Sequence, residues 1–324
     1  MFLSKKIEEI YKSQIFTRCD DSGKAKYFSG ADFEGLSAAP YEFDSSLGHK
    51  LRGYFYSYEG AKKSPLIIFE HGLGGGHLSY MKEIELLCSE GYTVFSYDHT
   101  GCMRSEGKDT NGLAQSLHDL DDCLTVLKND ENVDTSRIFV IGHSWGGFST
   151  MNVAAFHPDV EKIVVISGFL TPAKIIEQNL SGVRKLFRRQ VLAVEQKANP
   201  GYADINGVET LKNSDVPALF IYSDNDPVVR RESNYDILKK ELSRRPNTIF
   251  HLEHEKGHNP HYTRNAVALL AEYSQALAKA GDFTDEGEKQ KFRNSFDWDG
   301  MTEQDPLVWK VIFDFFEGVS PHTV

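Results

Sequence analysis

The sequence has few of the features that mark several large classes of protein. Of its 324 residues only four are cysteines, and Cys19, Cys88, Cys102 and Cys123 show neither CxxC pairing nor the spacing of metal ligands. The longest apolar runs fall far short of the ~20 residues that a membrane-spanning helix needs. The amino terminus also has no apolar stretch of signal-peptide length. These absences argue against a disulfide scaffold and predict a cytoplasmic protein with no integral membrane segment.

Positive charge is also scarce. The chain has 36 basic and 47 acidic side chains, a net charge of −11, and this balance argues against a nucleic-acid or anionic-membrane partner. Hydrophobic residues make up 40% of the chain. A chain of this length buries roughly three-quarters of the surface that it exposes when unfolded. We therefore expect a globular protein with either one large domain and an insertion or two domains.

Short apolar runs alternate with amphipathic helical stretches along most of the chain. The apolar runs are LIIF (66–69), TVFSY (93–97), RIFVIG (137–142), KIVVIS (162–167), PALFIYS (217–223) and TIFHL (248–252). Continuous apolar strands separated by helices indicate an α/β protein whose mostly parallel sheet is covered on both faces. Two alternating segments around Leu47-Gly48 predict an additional β-hairpin.

The strand–helix alternation breaks after KIVVIS, and about 50 residues pass before the next predicted strand. We interpret residues 169–214 as a short helical cap over the carboxyl edge of the sheet, where open α/β sheets bind ligands. Residues 1–168 and 215–324 then form the core. Within the core, residues 281–324 are predicted to form a polar linker followed by a docking helix. The helical pattern of the cap passes through Leu180, Val183, Phe187, Val191 and Val194.

The predicted cap is basic although the chain as a whole is acidic. Its charged residues between positions 170 and 200 are Lys174, Arg184, Lys185, Arg188, Arg189 and Lys197 against Glu177 and Glu195. Such a segment is either a solvated helix face or a surface that attracts an anionic substrate or membrane surface. Its apolar stripe either packs on the core or also lines an acyl pocket.

One five-residue motif points to nucleophilic chemistry. Gly142-His143-Ser144-Trp145-Gly146 matches the G-x-S-x-G nucleophile elbow, and it follows a predicted buried strand and opens a predicted helix, as that motif requires. A serine on so sharp a turn has a strained backbone and needs small neighbours. The adjacent helix amino terminus favours a developing anion. Ser144 is therefore the predicted nucleophile, and the alternative is a glycine-rich turn without chemistry.

A serine hydroxyl is a poor nucleophile unless a positioned base takes its proton. In proteins with this motif an acid and then a histidine follow the serine along the chain. Asp226 follows the PALFIYS strand and His258 follows the TIFHL strand. We therefore predict that His258 is the general base and that Asp226 is the carboxylate that orients it. Asp224 and His254 are the rival acid and base. His251 lies inside the predicted strand and is expected to be a packed residue.

The loop after the LIIF strand lies where a second backbone donor for an oxyanion is expected. It reads His71-Gly72-Leu73-Gly74-Gly75-Gly76. A competing interpretation is a phosphate cradle, but the loop lacks the lysine and Ser/Thr of a P-loop and has no G-x-G-x-x-G. The oxyanion hole is assigned to the amides of Leu73 and Trp145, and substrate contacts to His71, Gly72, His143 and Phe169.

The segment that carries His258 also matches a zinc-protease pattern. His254-Glu255-Lys256-Gly257-His258 reads H-E-x-x-H, which binds zinc only on a helix, where the two histidines share one face. A predicted strand precedes this segment, Gly257 lies inside it and Pro260 follows it. A helix is not expected there, so we predict no metal site.

Five motifs together resemble those of the α/β-hydrolase superfamily. They span roughly Tyr41 to Tyr273 and read EHGLGGG, YDHTGCMRS, IGHSWGG, YSDNDPVV and EKGHNP. Within the superfamily the chain is most similar to bacterial serine esterases and to serine aminopeptidase-like or lysophospholipase-like hydrolases. The family's D-x-R-G-x-G-x-S segment differs here, because Thr100 and Met103 replace its arginine and second glycine. The resemblance implies the α/β-hydrolase fold, an acyl-enzyme and no cofactor.

The resulting hypothesis is a serine hydrolase of the carboxylesterase kind, acting on a small-molecule substrate with a small or medium acyl group. The acyl size is inferred from the shortness of the predicted cap. Peptidase, thioesterase or acyltransferase activity would use the same residues. A non-catalytic binding protein of the same fold is a further alternative, although none of the three catalytic residues is missing. Dehalogenase chemistry is disfavoured, because an aspartate is expected in place of Ser144. The sequence makes no prediction of the oligomeric state.

Overall fold

A computed structural model describes residues 2–180, 186–281, 283 and 285–319, without the side chains of residues 2–4 and 63. Within these residues one eight-stranded sheet has the order β1-β2-β4-β3-β5-β6-β7-β8. The strands are β1 (Ser37–Asp44), β2 (Lys50–Ser57), β3 (Lys62–Glu70), β4 (Tyr92–Tyr97), β5 (Ile138–His143), β6 (Lys162–Ile166), β7 (Ala218–Ser223) and β8 (Thr248–Glu253). The pairs β1–β2 and β2–β4 are antiparallel, and all other neighbouring strands are parallel.

Helices cover both faces of the sheet. Their bounds are α1 (Phe2–Ile15), α2 (Met81–Ser89), α3 (Gln115–Asn129), α4 (Trp145–Asn152), α5 (Pro172–Asn179), α6 (Arg188–Ala198), α7 (Gly207–Lys212), α8 (Tyr235–Leu242), α9 (Arg264–Ala280), α10 (Glu286–Asn294), α11 (Trp298–Met301) and α12 (Pro306–Glu317). Successive side chains of a strand point to opposite faces. Ile68 of β3 therefore packs in one apolar cluster with α3, α4 and α8, whereas Ile67 packs in a second cluster with α2 and α12. Among the residues described, no helix has the length and apolar content needed to cross a bilayer.

The predicted fold class is confirmed. Each of the six apolar runs coincides with a strand, because a strand buried on both faces must be apolar at nearly every position. The hairpin predicted around Leu47-Gly48 is the β1–β2 pair, and Gly48 has a φ of 79° in its turn. The predicted helix after the G-x-S-x-G motif is α4, which ends at Asn152 and is followed by a 3₁₀ turn (Val153–Ala155).

Residues 281–305 differ from the predicted polar linker, because they contain α10 and α11. Asp285 and Asp297 each accept a hydrogen bond from a backbone amide at the start of one of these helices. Aromatic side chains hold the segment on Tyr273 of α9; they are Phe292, Phe296 and Trp298. The final helix, α12, buries Trp309 against the sheet. The charged composition of this segment predicted a linker, although its aromatic residues pack in a cluster.

The segment 169–214, which we call the cap, contains α5, α6 and α7 in its described part. Helix α5 begins with Thr171 as its amino-terminal cap and Pro172 in the first turn. The predicted helical pattern is interrupted, because α5 ends at Asn179 and Leu180 has an extended backbone, with ψ 126°. Val183, Arg184 and Lys185 of the cap, and Asp282 and Thr284 of the predicted linker, lie outside the described residues. The division into core and cap stays a prediction.

Candidate active site

Ser144 lies on the turn between β5 and α4. Its backbone has φ 57° and ψ −109°, a conformation that few residues other than glycine adopt. A Cβ on Gly142 would lie 2.4 Å from the carbonyl oxygen of Gly146, and a Cβ on Gly146 would lie 2.1 Å from that of Glu70. Larger residues at these two positions would therefore push the turn apart. The two glycines allow the close packing that places Ser144 at the amino terminus of α4.

The structure brings Ser144, His258 and Asp226 into one hydrogen-bonded row. His258 Nε2 lies 2.8 Å from Ser144 Oγ, and His258 Nδ1 lies 2.7 Å from Asp226 Oδ2. The other oxygen of Asp226 accepts from the amides of Val228 and Val229 at 2.7 and 2.9 Å. Asp226 is 5% exposed, so these donors satisfy a buried carboxylate and fix its orientation. With a proton on Nδ1, Nε2 is free to accept the proton of the serine.

Asp224 and His254, the rival acid and base, form a separate pair. His254 Nδ1 lies 2.7 Å from Asp224 Oδ2, and the His254 side chain is 71% exposed. Asp224 also accepts from the amide of Glu255 at 2.9 Å, so it shapes the loop after β8. Within the described residues no hydrogen bond joins this pair to Ser144 or to the imidazole of His258. His251 lies in β8 and bonds Glu253.

The H-E-x-x-H pattern lies on a loop. Strand β8 ends at Glu253, Glu255 has a positive φ of 57°, and α9 begins only at Arg264. The helical spacing that places both histidines of this motif on one face is therefore absent. Over the described ranges, no group of three or more His, Cys, Asp or Glu side chains is arranged to hold a metal ion.

The loop after β3 lies beside the predicted nucleophile. A Cβ on Gly72 would lie 3.5 Å from the Cβ of Ser144. Leu73 and Trp145 line the same cavity as Ser144 and His258, and in the part of the chain that the structure describes neither of their amides donates a hydrogen bond. Two backbone donors are therefore available beside the serine. The arrangement is suited to binding an oxyanion that forms when Ser144 attacks a carbonyl.

Tyr80 and His143 connect this loop to His258, and no sequence motif indicated Tyr80. The Gly72 amide donates to the Tyr80 hydroxyl at 3.0 Å, which lies 2.8 Å from His143 Nδ1. His143 Nε2 in turn lies 2.8 Å from the carbonyl oxygen of His258. Burial lowers the pKa of His143 well below its ordinary value, so the ring is neutral. A neutral ring that accepts at Nδ1 and donates at Nε2 satisfies the whole chain of bonds.

The four residues predicted to contact substrate occupy different environments. Phe169 lines the cavity beside Ser144, whereas the side chains of His71 and His143 do not reach it. His71 is fully buried, its Nε2 accepts from the His99 amide at 3.0 Å, and burial lowers its pKa to about 3. Gly72 is bonded to Tyr80 as described above. His71 and His143 therefore support the loops that surround the cavity.

Comparisons with known proteins show which proteins this chain is similar to. A family model described as "alpha/beta hydrolase fold" matches residues 65–199. The chain is 35% identical over 109 residues to the putative carbamate hydrolase RutD of Serratia proteamaculans, across 33% of this chain and 39% of RutD. It is 23% identical over 292 residues to the uncharacterized protein YqkD of Bacillus subtilis, covering 88% of this chain and 92% of YqkD. Among solved structures, the esterase Pf2001 of Pyrococcus furiosus aligns with a TM-score of 0.60 at 18% identity, over 86% and 99% of the two chains.

The chain has the α/β-hydrolase fold. The matched region contains both the loop after β3 and the turn that carries Ser144. The match to RutD covers less than two thirds of that relative's length, and the likeness to Pf2001 establishes the fold alone.

An apolar cavity of about 470 Å³ lies over Ser144. Its volume and lining are typical of sites for small molecules. Its walls come from α1 (Ile7, Ile10, Tyr11, Gln14, Ile15), from the cap (Phe169, Ile175, Ile176, Asn179, Leu180, Val191), from the loop after β7 (Val228, Val229), and from Leu73, Leu113, Ser144, Trp145 and His258. In the described part of the chain, this lining contains no Asp, Glu, Lys or Arg.

Glu195 of α6 joins the cap to α1 and to the segment before α3. One carboxylate oxygen accepts from the amides of Leu113 and Ala114 at 2.8 and 3.3 Å, and the other accepts from the Tyr11 hydroxyl of α1. Glu195 is 1% exposed, and burial raises its pKa to about 7. Its sequence context, one of two acidic residues in a basic segment, gave no signal of this role.

We expect Glu195 to make the stability of this protein depend on pH. Because its pKa is raised from 4.5 to about 7 on folding, its stabilising contribution is complete below pH 4.5 and is lost as the pH rises through 7. In Glu195→Gln the carboxamide oxygen still accepts from the two amides, and the NH₂ group donates to the Tyr11 hydroxyl in place of accepting from it, but the side chain does not ionise. We expect the difference in free energy of unfolding, Glu195→Gln minus wild type, to rise by about 3 kcal/mol between pH 4.5 and pH 8.

Urea denaturation of both proteins across this pH range measures the difference. Burial also raises the pKa of Glu70 to about 7, but Glu70 is present in both proteins and cancels in the comparison. A difference in unfolding free energy that stays constant with pH would contradict the expectation.

Proposed function

We propose that this protein is a serine hydrolase that cleaves esters of small or medium acyl groups through an acyl-enzyme. One observation carries the proposal: Ser144, His258 and Asp226 form a continuous hydrogen-bonded row, with distances of 2.8 and 2.7 Å, beneath an apolar cavity. A nucleophile, a base and a group that orients the base are the parts that acyl transfer by serine needs.

The first half of the proposed reaction acylates the serine. Ser144 Oγ attacks the carbonyl carbon of the ester while His258 Nε2 takes its proton, and Asp226 stabilises the imidazolium that results. The carbonyl oxygen becomes an oxyanion and accepts hydrogen bonds from the amides of Leu73 and Trp145. The imidazolium then gives its proton to the alcohol oxygen as the carbon–oxygen bond breaks, leaving the acyl group on Ser144.

The second half releases the acyl group. A water molecule attacks the acyl carbon while His258 Nε2 takes a proton from it, and the same two amides bind the new oxyanion. The imidazolium returns its proton to Ser144 Oγ as the acyl bond breaks. In this proposal Asp226 holds the imidazole in the same orientation for both halves of the cycle.

The cavity lining, which has no Asp, Glu, Lys or Arg among the described residues, suits an uncharged acyl group of the substrate. A peptidase that acts at a free amino terminus needs a partner for the ammonium group, and a buried ammonium without one is costly. The described lining offers only neutral polar atoms and His258. The fold-level likeness to Pf2001, named as an esterase, agrees with this choice. We further propose that the cap over this cavity, residues 169–214, acts as the substrate-binding insertion.

A substrate panel tests the proposal. We expect p-nitrophenyl butyrate to be hydrolysed with kcat/KM of about 10⁴ M⁻¹ s⁻¹ or more, within the usual range of enzymes. His258→Ala should abolish this activity and His254→Ala should retain it, because His258 lies 2.8 Å from Ser144 Oγ whereas His254 bonds Asp224. Faster cleavage of proline p-nitroanilide than of the ester would contradict the choice of an esterase.

A further inference from the structure

The amino-terminal helix α1 forms one wall of the cavity. Ile7, Ile10, Tyr11 and Gln14 recur at helical spacing, so they share one face, and all four line the cavity. Ile7 is 7% exposed and belongs to the same apolar cluster as Trp145 of the nucleophile turn. A helix that precedes the first strand of the core by more than 20 residues thus reaches the candidate active site.

A buried polar contact fixes α1 against the cap. The Tyr11 hydroxyl donates to Glu195 of α6, whose other oxygen accepts from the Leu113 amide at 2.8 Å. The end of α1 is also tied to the core, because the Thr110 hydroxyl donates to the Ile15 carbonyl. The wall is therefore positioned by specific bonds on two sides as well as by apolar packing.

We propose that α1 is a substrate-binding element that limits the length of the acyl chain, with Ile7 as a specificity-determining residue. This inference rests on the proposed function and names its substrate class, unbranched medium-chain acyl esters. The acyl carbon is bonded at Ser144 and the chain extends through the apolar cavity towards α1. Each methylene buried there raises kcat/KM about fourfold, until the chain meets the helix.

Two substitutions at Ile7 test the inference in opposite directions. Ile7→Trp fills the cavity, and we expect it to lower the kcat/KM ratio of p-nitrophenyl octanoate to acetate at least tenfold. Ile7→Ala opens the cavity, and we expect it to shift the preferred chain to a longer ester. Glu9→Trp is the matched control, because Glu9 is exposed on the opposite face of α1, and it should keep the wild-type ratio. The ratio is independent of the fraction of active enzyme.

An octanoate-to-acetate ratio that is unchanged in both Ile7 variants would overturn the role of α1. Failure of the proposed function gives a different result, because wild type would then hydrolyse no ester of the series. Calorimetry of octanoate binding to Ser144→Ala, with and without Ile7→Trp, measures the cavity without catalysis. We expect Ile7→Trp to weaken this binding at least tenfold, and equal affinities would overturn the inference.

A second, independent observation concerns Cys19, which follows the carboxyl end of α1, and Cys102, which lies in the loop after β4. Cys19 and Cys102 pair in a parallel bridge, with the Cys19 amide donating to Gly101 and the Met103 amide to Cys19, both at 3.0 Å. Backbones paired in this way lie about 4.8 Å apart, within the Cα separation that a disulfide accepts. Both residues are free thiols; Cys19 is half-buried and Cys102 is buried. Hydrogen bonds from the Cys102 thiol and the Gly74 amide lower the pKa of Cys19 to about 7.

We infer that Cys19 and Cys102 are a redox pair that peroxide converts to a disulfide. The Cys19 thiolate attacks hydrogen peroxide, the O–O bond breaks, and the departing hydroxide takes a proton to become water, which leaves Cys19 as a sulfenic acid. The Cys102 sulfur then gives up its proton and attacks the Cys19 sulfur, and the S–O bond breaks to release a second water. Two electrons pass from the two thiols to the peroxide, and the segment after α1 becomes covalently linked to the loop after β4.

Peptide mass spectrometry after brief treatment with hydrogen peroxide tests the pair. We expect a linked Cys19–Cys102 peptide in wild type and in Cys123→Ser, whose cysteine is buried elsewhere in the core. In Cys102→Ser we expect dimedone to trap a sulfenic acid at Cys19. The linked form should also unfold at a higher urea concentration, because the bond constrains the unfolded chain. Absence of the linked peptide in wild type would overturn the inference, whether Cys19 stays a thiol or becomes a sulfinic acid.

Discussion

Ser144→Ala is expected to lower kcat/KM for p-nitrophenyl butyrate by about 10⁴- to 10⁶-fold. The substitution removes the only atom that bonds the acyl group in the proposed mechanism, and Ser144 Oγ lies 2.8 Å from the base that would take its proton. Alanine keeps the Cβ and leaves the apolar cavity in place, so the fold and octanoate binding should be retained. Steady-state kinetics and the urea midpoint measure the two effects. A variant with more than a few per cent of wild-type activity would contradict the mechanism.

The second large effect is expected for Asp226→Asn. An asparagine can still accept from the amides of Val228 and Val229, but its amide nitrogen then donates to His258 Nδ1. The proton of the imidazole is forced onto Nε2, which no longer accepts from Ser144. Misplacing this proton costs about 10⁴-fold in kcat in an enzyme of the same triad chemistry.

Asp224→Asn is the matched control for Asp226→Asn. It lies two residues away in the same loop, makes the same change of charge, and removes a carboxylate that faces the exposed His254. We expect kcat/KM close to wild type. Equal losses in the two variants would show that loop structure, and not the tautomer of His258, explains the effect.

The sequence predicted the sheet well because burial leaves a direct pattern. Strands covered on both faces, such as β5 and β6, must be apolar at nearly every position, so they stand out from the helices. The helix α10 lacked this signal. The surface of α10 is charged. Its position is fixed by the contact of Phe292 with Tyr273 of α9, and the hydrophobic pattern of the sequence does not show how these two helices pack.

The candidate site could be predicted in part. Chain order and strand ends pointed to two loops, but they could not separate Asp224 from Asp226, because side chains two residues apart in a loop have no fixed direction. The wall formed by Tyr11 and the bond between Tyr80 and His143 could not be predicted either. Both depend on elements distant in sequence that meet only in the folded chain.

A fluorophosphonate bonds a serine only when a base and oxyanion donors activate it, so labelling with this reagent shows whether Ser144 is an activated nucleophile. We expect one adduct per wild-type protein, located by peptide mass spectrometry on Ser144, and no adduct on Ser144→Ala. An adduct on another residue, an adduct that persists in Ser144→Ala, or an unlabelled wild-type protein would contradict the role of Ser144 as the nucleophile.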